Sequence, residues 1–462
     1  MIIDLKMTEL ADAIREKTGK TDKLTLDAMI TSVQELEITT ADTTFEDAFM
    51  AGSKLPSTIY TNSNVTIIGA YAFVSASGVS QYTFPNCLTV GSSAFFMTKG
   101  SSAYGTYTID LPKCITISQS AFYAMNLNGG LNRISIPECQ KIQSSAFCGC
   151  SRLRSINMPK CSSVGPFAFA YCSMLSQISA PELTTVGSSA FYSIGWYNST
   201  YAVYNLELPK CTKIFNSAFY GANIKKASLP QCVTIGSYAF CSCISLSTVY
   251  APLCTSASSG AFYGCSSLQT ISLPQCVTLG SATFYGCTVL SDISLPLVQT
   301  IGSRAFVNCS ALSIADFPEC TTIYNSAFAS CSNITTASFP KCSSMASYAF
   351  GYCSQLSNLY FPVCKYIGSY AFINCIGLIS VSFPECTYIH DYAFSACSNL
   401  TTIYLGASSV CSLYASVVFS NTIFYSGGGS IFVPASLVDS YKKATNWAYF
   451  SNQIFPIEEA TE

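Results

Sequence analysis

The chain repeats itself, and no other feature constrains its fold as much. Fifteen phenylalanines recur in one setting, at 73, 95, 122, 147, 169, 191, 219, 240, 262, 284, 306, 328, 350, 372 and 394. From Phe240 onward every interval is 22 residues, and all but one of these rings follow an alanine, the exception being Thr283. A proline stands 12 residues after most of them, as at Pro252, Pro274, Pro318 and Pro384. Self-similarity at this period marks a solenoid, whose units bury an interior only by stacking on one another. A length of 462 residues would otherwise suggest about three domains. The repeat replaces that expectation with one continuous array.

A single unit shows the physics: Leu268-x-x-Ile271-x-Leu273-Pro-x-Cys276-x-x-Leu279-Gly280-x-x-x-Phe284-x-x-Cys287. Ile271 and Leu273 fall on one face of an extended segment and Thr270 and Ser272 on the other, which is strand alternation. Pro274 ends the strand, because it has no amide proton to give and holds its predecessor extended. Cys276, Leu279, Phe284 and Cys287 must then bring the chain back over the same apolar interior.

The spacing L-x-x-I-x-L-x-x-C-x-x-L resembles the leucine-rich repeat, and the continuation I-G-x-x-A-F-x-x-C-x-x-L resembles the BspA-like (Treponema-type) branch of that family. The match runs from about Val65 to Leu405. The resemblance implies an α/β solenoid: a right-handed array of about 15 coils with short parallel strands. It also implies the company of microbial surface proteins and adhesins.

Composition narrows the function. Only 10% of residues are charged and the net charge is -2, so there is no field to draw in nucleic acid by counterion release. One histidine leaves little for histidine-built metal sites or general-base catalysis. The 25 cysteines follow the repeat. Twelve lie two residues after the strand-ending proline and ten lie three residues after the phenylalanine. Leu183, Val298, Ala76, Met125, Ile194 and Ala222 replace them where they are missing, with Thr98 the polar exception, so each slot reads as a small buried apolar position filled by free cysteine. Cys411 stands outside both columns. Thiols in this number point to assembly in a reducing compartment; no cofactor and no metal site is expected.

His390 sits where other units carry Gly236, Gly280, Gly302 or Gly368, which reads as a turn open to solvent, and no Ser-His-Asp arrangement has sequence support around it. Asp292 and Asp316 come from adjacent coils and could approach diagonally, a spacing compatible with glycoside hydrolysis. Solvated surface charge is the simpler reading of the pair, and no catalytic residue is assigned.

The outward strand face offers hydroxyls, an amide and tyrosine rings, as at Thr248 and Tyr250, Asn358 and Tyr360, and Thr402 and Tyr404. Such a surface suits sugars or protein surfaces. Three intervals exceed 22 residues: 27 after Phe95, 25 after Phe122 and 28 after Phe191. The insertions project from one edge of the array, and two are rich in the Tyr, Ser, Gly and Asn of adaptable binding loops. The candidate binding residues are therefore Tyr104, Tyr107, Trp196, Tyr197, Asn198, Tyr201, Tyr250, Tyr360 and Tyr404.

Residues 1–37 read as two short amphipathic helices forming an anchor or assembly module, 38–64 as a linker and N-terminal cap, 65–405 as the solenoid and 406–462 as the C-terminal cap, with a helix from Asp439 to Trp447. Met1 to Lys6 lacks the features of a signal peptide. The segment LADAIREKTGKTDKLTLDAM resembles an N-terminal module of bacteriophage tail and structural proteins. Together these features predict a non-enzymatic adhesion or receptor-binding protein of a phage tail, located in the virion. It would recognise a host surface glycan or protein and hold other tail proteins through residues 1–37, without nucleic acid binding or membrane insertion. A bacterial cell-surface adhesin is the alternative location, and a glycan-acting enzyme the alternative chemistry.

Overall fold

A computed structural model of the chain describes residues 59–100, 106–124, 130–195 and 204–457. The chain forms two compact units, Met1–Ile224 and Lys225–Glu462. In both, the repeat folds into rungs of a parallel-strand solenoid, each rung carrying an outward-facing strand and a two-residue strand.

In the first unit the two-residue strands Ile67–Ile68, Thr89–Val90, Thr116–Ile117, Lys141–Ile142, Ser163–Val164, Thr185–Val186 and Lys213–Ile214 form one parallel ladder. The longer row starts with Ile59–Thr61, Gln81–Thr83, Thr106–Asp110 and Gly130–Ser135, all paired in parallel. Ser155–Asn157 and Gln177–Ser179 then pair only with each other, and Tyr204–Glu207 follows. Alternation places Ile156, Leu206 and Ile109 inside and their neighbours outside.

The second unit repeats the scheme with two-residue strands from Thr234–Ile235 to Ser412–Leu413. Its longer row runs from Lys226 opposite Thr248 to Asp292–Ser294, resumes at Ile314–Asp316 through Asn358–Tyr360, and resumes again at Ser380–Ser382. The strands Ser430–Val433 and Ile454–Pro456 continue the last of these ladders in parallel.

The repeated phenylalanines stack face to face. Ring centroids are 4.8 Å apart for Phe73 and Phe95, 4.9 Å for Phe147 and Phe169, and 5.0 Å for Phe306 and Phe328, near the spacing of paired strands. All are buried. The backbone around each ring forms a third inter-coil ladder. In one rung Ala282 N, Phe284 N and Gly286 N donate to Ser303, Ala305 and Val307 of the next, at 2.8, 2.7 and 2.8 Å. The intervening Tyr285 N and Cys287 N turn back to Ala282 and Phe284 of their own rung. The N–H groups of Ala282, Phe284, Tyr285, Gly286 and Cys287 are thereby all satisfied. This alternation requires left-handed backbone on both sides of the ring: Ala282 has φ 54° and Gly286 φ 71°, and in the first unit Phe167 and Tyr171 have φ 55° and 61°. A non-glycine residue held there costs about 1–2 kcal/mol.

All 25 cysteines are free and buried. They do more than fill space. The thiol after each ring donates to the phenylalanine carbonyl of the preceding rung, as Cys331 Sγ does to Phe306 O at 2.9 Å and Cys150 Sγ to Phe122 O at 3.0 Å. The thiol after each proline reaches a carbonyl two residues on, as Cys254 does to Ser256 O at 3.3 Å. Aliphatic substitution elsewhere in the columns had disclosed the volume but not the donor. Burial pushes thiols such as Cys353 and Cys211 up, to about 12 and about 11, so these remain protonated donors at neutral pH, whereas the hydrogen bond with Cys114 holds Cys87 below its usual range. Cys411, set apart by sequence spacing, extends the proline-linked column, its Sγ 3.8 Å from that of Cys386.

The C-terminal segment closes the last rung. Its α-helix, Val438–Lys443, is shorter than the sequence pattern suggests, because Ala444 turns extended and Trp447 lies beyond the end. Trp447 is fully buried and gives its indole proton to Cys411 O at 2.6 Å, while Tyr441 Oη accepts from Cys411 N at 2.9 Å. These contacts satisfy backbone groups that an open strand edge would leave exposed.

Candidate binding groove on the strand face

The first unit has two openings in its outward strand row. Gly130–Ser135 pairs with Thr106–Asp110 through a register shift after Tyr107 that leaves Asn132 as an extra residue. Such a bulge bends its strand, and Gly130–Ser135 makes no ladder with Ser155–Asn157. A cavity of about 200 Å³ lies there, lined by Arg133, Ser135, Ser155 and Asn157. The second opening, between Gln177–Ser179 and Tyr204–Glu207, is a shallower cavity of about 310 Å³ lined by Ser155, Asn157, Gln177, Ser179, Tyr204 and Asn205. Ser155 and Asn157 belong to both, so the two form one groove.

Two rows of outward side chains furnish it. Register sets Gln177 opposite Ser155 and Ser179 opposite Asn157. Arg133, Ser155, Asn157, Gln177, Ser179 and Asn205 are exposed or, for Ser135, half-buried. The groove thus presents a guanidinium, amides and hydroxyls, with donors and acceptors in alternation. Ile178, the core-facing residue of its strand, is only half-buried and forms an apolar strip in the floor. Among the described residues no carboxylate pairs with Arg133.

Of the residues singled out from sequence, Tyr104, Trp196, Tyr197, Asn198 and Tyr201 lie outside the described residues. Tyr107 does not serve as a contact residue. It points inward from Thr106–Asp110, is 1% exposed and packs edge-on against Tyr82 at 5.6 Å. The insertion before it extends a core strand as well as a loop. Tyr250 and Tyr360 are exposed on the strand row of the second unit, and Tyr404 is stacked against Phe432 at 4.9 Å. The groove residues were missed because single amides among serines carry little signal. The signal that existed was the pair of long intervals, after Phe122 and after Phe191, which bracket the groove strands.

His390 is not an open turn residue. Its side chain is 26% exposed, Tyr414 stacks on the imidazole at 4.2 Å, and Ser369 Oγ and Asp391 Oδ1 both meet Nδ1. Burial pushes Asp391 up, but hydrogen bonds from Ser369 and His390 and the nearby imidazole outweigh it and hold the carboxyl below its usual range. A catalytic triad needs serine on one ring nitrogen and aspartate on the other. Here both converge on one nitrogen, so the cluster is a packing device at the column position. Asp292 and Asp316 sit on strands of separate ladders, so no register fixes the two positions against one another. Among the described residues no group of three or more ligating side chains could hold a metal ion, and no helix is long and apolar enough to cross a membrane.

A stack of short parallel strands with an inward cysteine and phenylalanine per rung and a polar outward row defines a leucine-rich repeat solenoid. The chain belongs to the BspA type leucine rich repeat family, whose model matches residues 28–128, 101–207, 212–335 and 321–427. The fold is shared with a leucine-rich repeat protein from Bacteroides ovatus, at 21% identity over 76% of this chain and 92% of that one, with a TM-score of 0.59. A leucine rich cell surface protein from Faecalibacterium prausnitzii is 20% identical over 68% of this chain and 86% of that one, with a TM-score of 0.38. The T. pallidum leucine rich repeat protein is 24% identical over 38% of this chain and 72% of that one, with a TM-score of 0.26. No curated protein matches the chain.

Proposed function

We propose that the protein is a non-enzymatic adhesin of a bacterial cell surface, which recognises a glycan or protein surface through its outward strand row. The observation that carries this reading is the groove from Arg133 to Asn205, a concave set of exposed hydrogen-bonding groups on a rigid row of strands. Rigid presentation of polar groups lowers the ordering cost of binding. Tyr250, Tyr360 and Tyr404 would offer contacts of their own on the second unit, and Trp196, Tyr197, Asn198 and Tyr201, outside the described residues, stay candidate contacts. The test is adhesion of the purified full chain to host cells. Asn157→Ala with Gln177→Ala should lower retention several-fold while leaving thermal unfolding unchanged, and undiminished retention would refute the groove reading.

A second reading, attachment to a phage tail through residues 1–37, is supported by the resemblance of that segment to tail and structural proteins. It predicts that the segment captures a tail component and that its deletion abolishes capture without affecting adhesion. The enzyme reading predicts glycan hydrolysis abolished by Asp292→Asn; the separate ladders of the two strands give it no support.

A further inference from the structure

Resting on the adhesin reading, we infer that the groove of the first unit takes an acidic glycan, with Arg133 receiving a carboxylate or sulfate of the sugar chain. Charge is the first ground. The whole chain carries 24 acidic against 22 basic residues, yet the stretch 106–214 carries eight basic against four acidic. Two ion pairs, Glu138 with Lys160 and Glu182 with Lys210, each at 2.6 Å, leave six basic residues against two acidic. Three of the five arginines of the chain, Arg133, Arg152 and Arg154, fall within this stretch, and Arg133 lines the first opening of the groove. The local field is therefore positive on a chain of net charge -2, which is complementarity to an anion rather than a general property of the surface.

The chemistry of the lining is the second ground. Arg133 presents a planar fork that matches a carboxylate or sulfate oxygen pair. Asn157, Gln177 and Asn205 each offer both a donor and an acceptor, as ring hydroxyls require. Protein-binding patches rely on buried aromatic, methionine or leucine anchors, and among the described residues the groove lining has none that is exposed; Tyr204 is 9% exposed. Single-stranded nucleic acid would also meet the positive field, but it is held by base stacking on exposed aromatic rings, which the lining lacks among the described residues. A polyhydroxylated chain with periodic negative charge fits both grounds.

The experiment is calorimetric titration of the full chain with oligogalacturonate and with its carboxyl-reduced neutral form, at low and at physiological salt. The acidic oligosaccharide should bind at least about tenfold more tightly than the neutral one, with the difference shrinking as salt rises. Arg133→Gln should remove that preference, lowering the affinity for the acidic oligosaccharide far more than that for the neutral one, and Gln177→Ala should weaken both. Arg133 is exposed, so its replacement leaves the core intact; if Arg133→Gln fails to fold, Arg133→Lys keeps the charge, loses the fork and should still reduce the preference. Equal affinity for the two oligosaccharides, or a preference indifferent to Arg133, overturns the inference. So does tighter binding of a uridine oligoribonucleotide than of oligogalacturonate. Adhesion to cells that survives in the absence of any uronate binding also overturns it, and leaves the adhesin reading standing.

Discussion

If the phenylalanine column holds neighbouring rungs together, its members must be energetically coupled to adjacent rings and uncoupled from distant ones. Phe306 is the position to perturb. Its ring lies 5.3 Å from Phe284 and 5.0 Å from Phe328, at interplanar angles of 21° and 5°, and is fully buried. Aromatic pairs contribute about 0.5–1.5 kcal/mol beyond their buried area. Phe306→Leu keeps an apolar side chain but loses these two stacked pairs and a tilted one with Phe317 at 5.9 Å, so the aromatic component of its cost should be about 1.5–4.5 kcal/mol. Combined with Phe328→Leu, the double substitution should cost about 0.5–1.5 kcal/mol less than the sum of the single costs, since the shared pair is lost only once. Combined with Phe372→Leu, three rungs away, the costs should add. A solenoid need not unfold in one step, so the assay is native-state hydrogen exchange by mass spectrometry over peptides covering each rung, with urea unfolding alongside. Equal coupling for the adjacent and distant pairs, or no coupling for the adjacent pair, would refute the account of the column as a nearest-neighbour stack.

Other consequences follow from the same geometry. Buried thiols such as Cys254, Cys287, Cys320 and Cys353 have folded values raised to about 12, above those of the unfolded chain. Their stabilisation is therefore complete below about pH 8.5 and is lost as pH rises toward 12. Unfolding free energy should fall steeply in that window, by about 1.4 kcal/mol per pH unit for each fully shifted thiol, and alkaline urea titrations that show no decline would contradict this. Thiol titration of the denatured, unreduced chain should return 25 groups, while the native chain should react slowly with a disulfide reagent at pH 8. Ala282→Gly relieves a left-handed residue at φ 54° and, net of the added unfolded-state entropy, should stabilise its rung by up to about 1 kcal/mol; local exchange that accelerates would disprove it. Trp447→Ala leaves Cys411 O without its indole partner and opens a cavity beneath the cap. About 3–5 kcal/mol of local stability should be lost, with concentration-dependent association on sizing columns as the last strands become accessible.

The 22-residue interval, the proline stop and the alternation of Ile271 with Thr270 suffice to place strands, rungs and core columns, because a periodic sequence can bury its apolar positions only by stacking in register. Free cysteine in both columns was legible from the aliphatics that replace it. The hydrogen-bonding role of the thiols was not, since a donor such as Cys331 finds its acceptor, Phe306 O, in the preceding rung. The left-handed residues flanking each ring escaped notice for a related reason. Serine, tyrosine, alanine, arginine and asparagine all occupy those positions, so the ladder between rungs, not side-chain preference, dictates the backbone there.

The site divides in the same way. The long intervals after Phe122 and Phe191 marked the region from sequence, but Tyr107 was read as a contact and proves to be core, because an insertion can lengthen a strand as well as a loop. Arg133, Asn157, Gln177 and Asn205 are unremarkable one by one along the chain. They become a groove only where Gly130–Ser135, beyond its bulge at Asn132, and Tyr204–Glu207 each fail to pair with the Ser155–Asn157 and Gln177–Ser179 ladder between them, and those separations belong to the backbone ladder rather than to any single residue. Sequence alone determined the solenoid, since periodic burial admits one solution; which polar side chains share a cavity was decided by where the strands part.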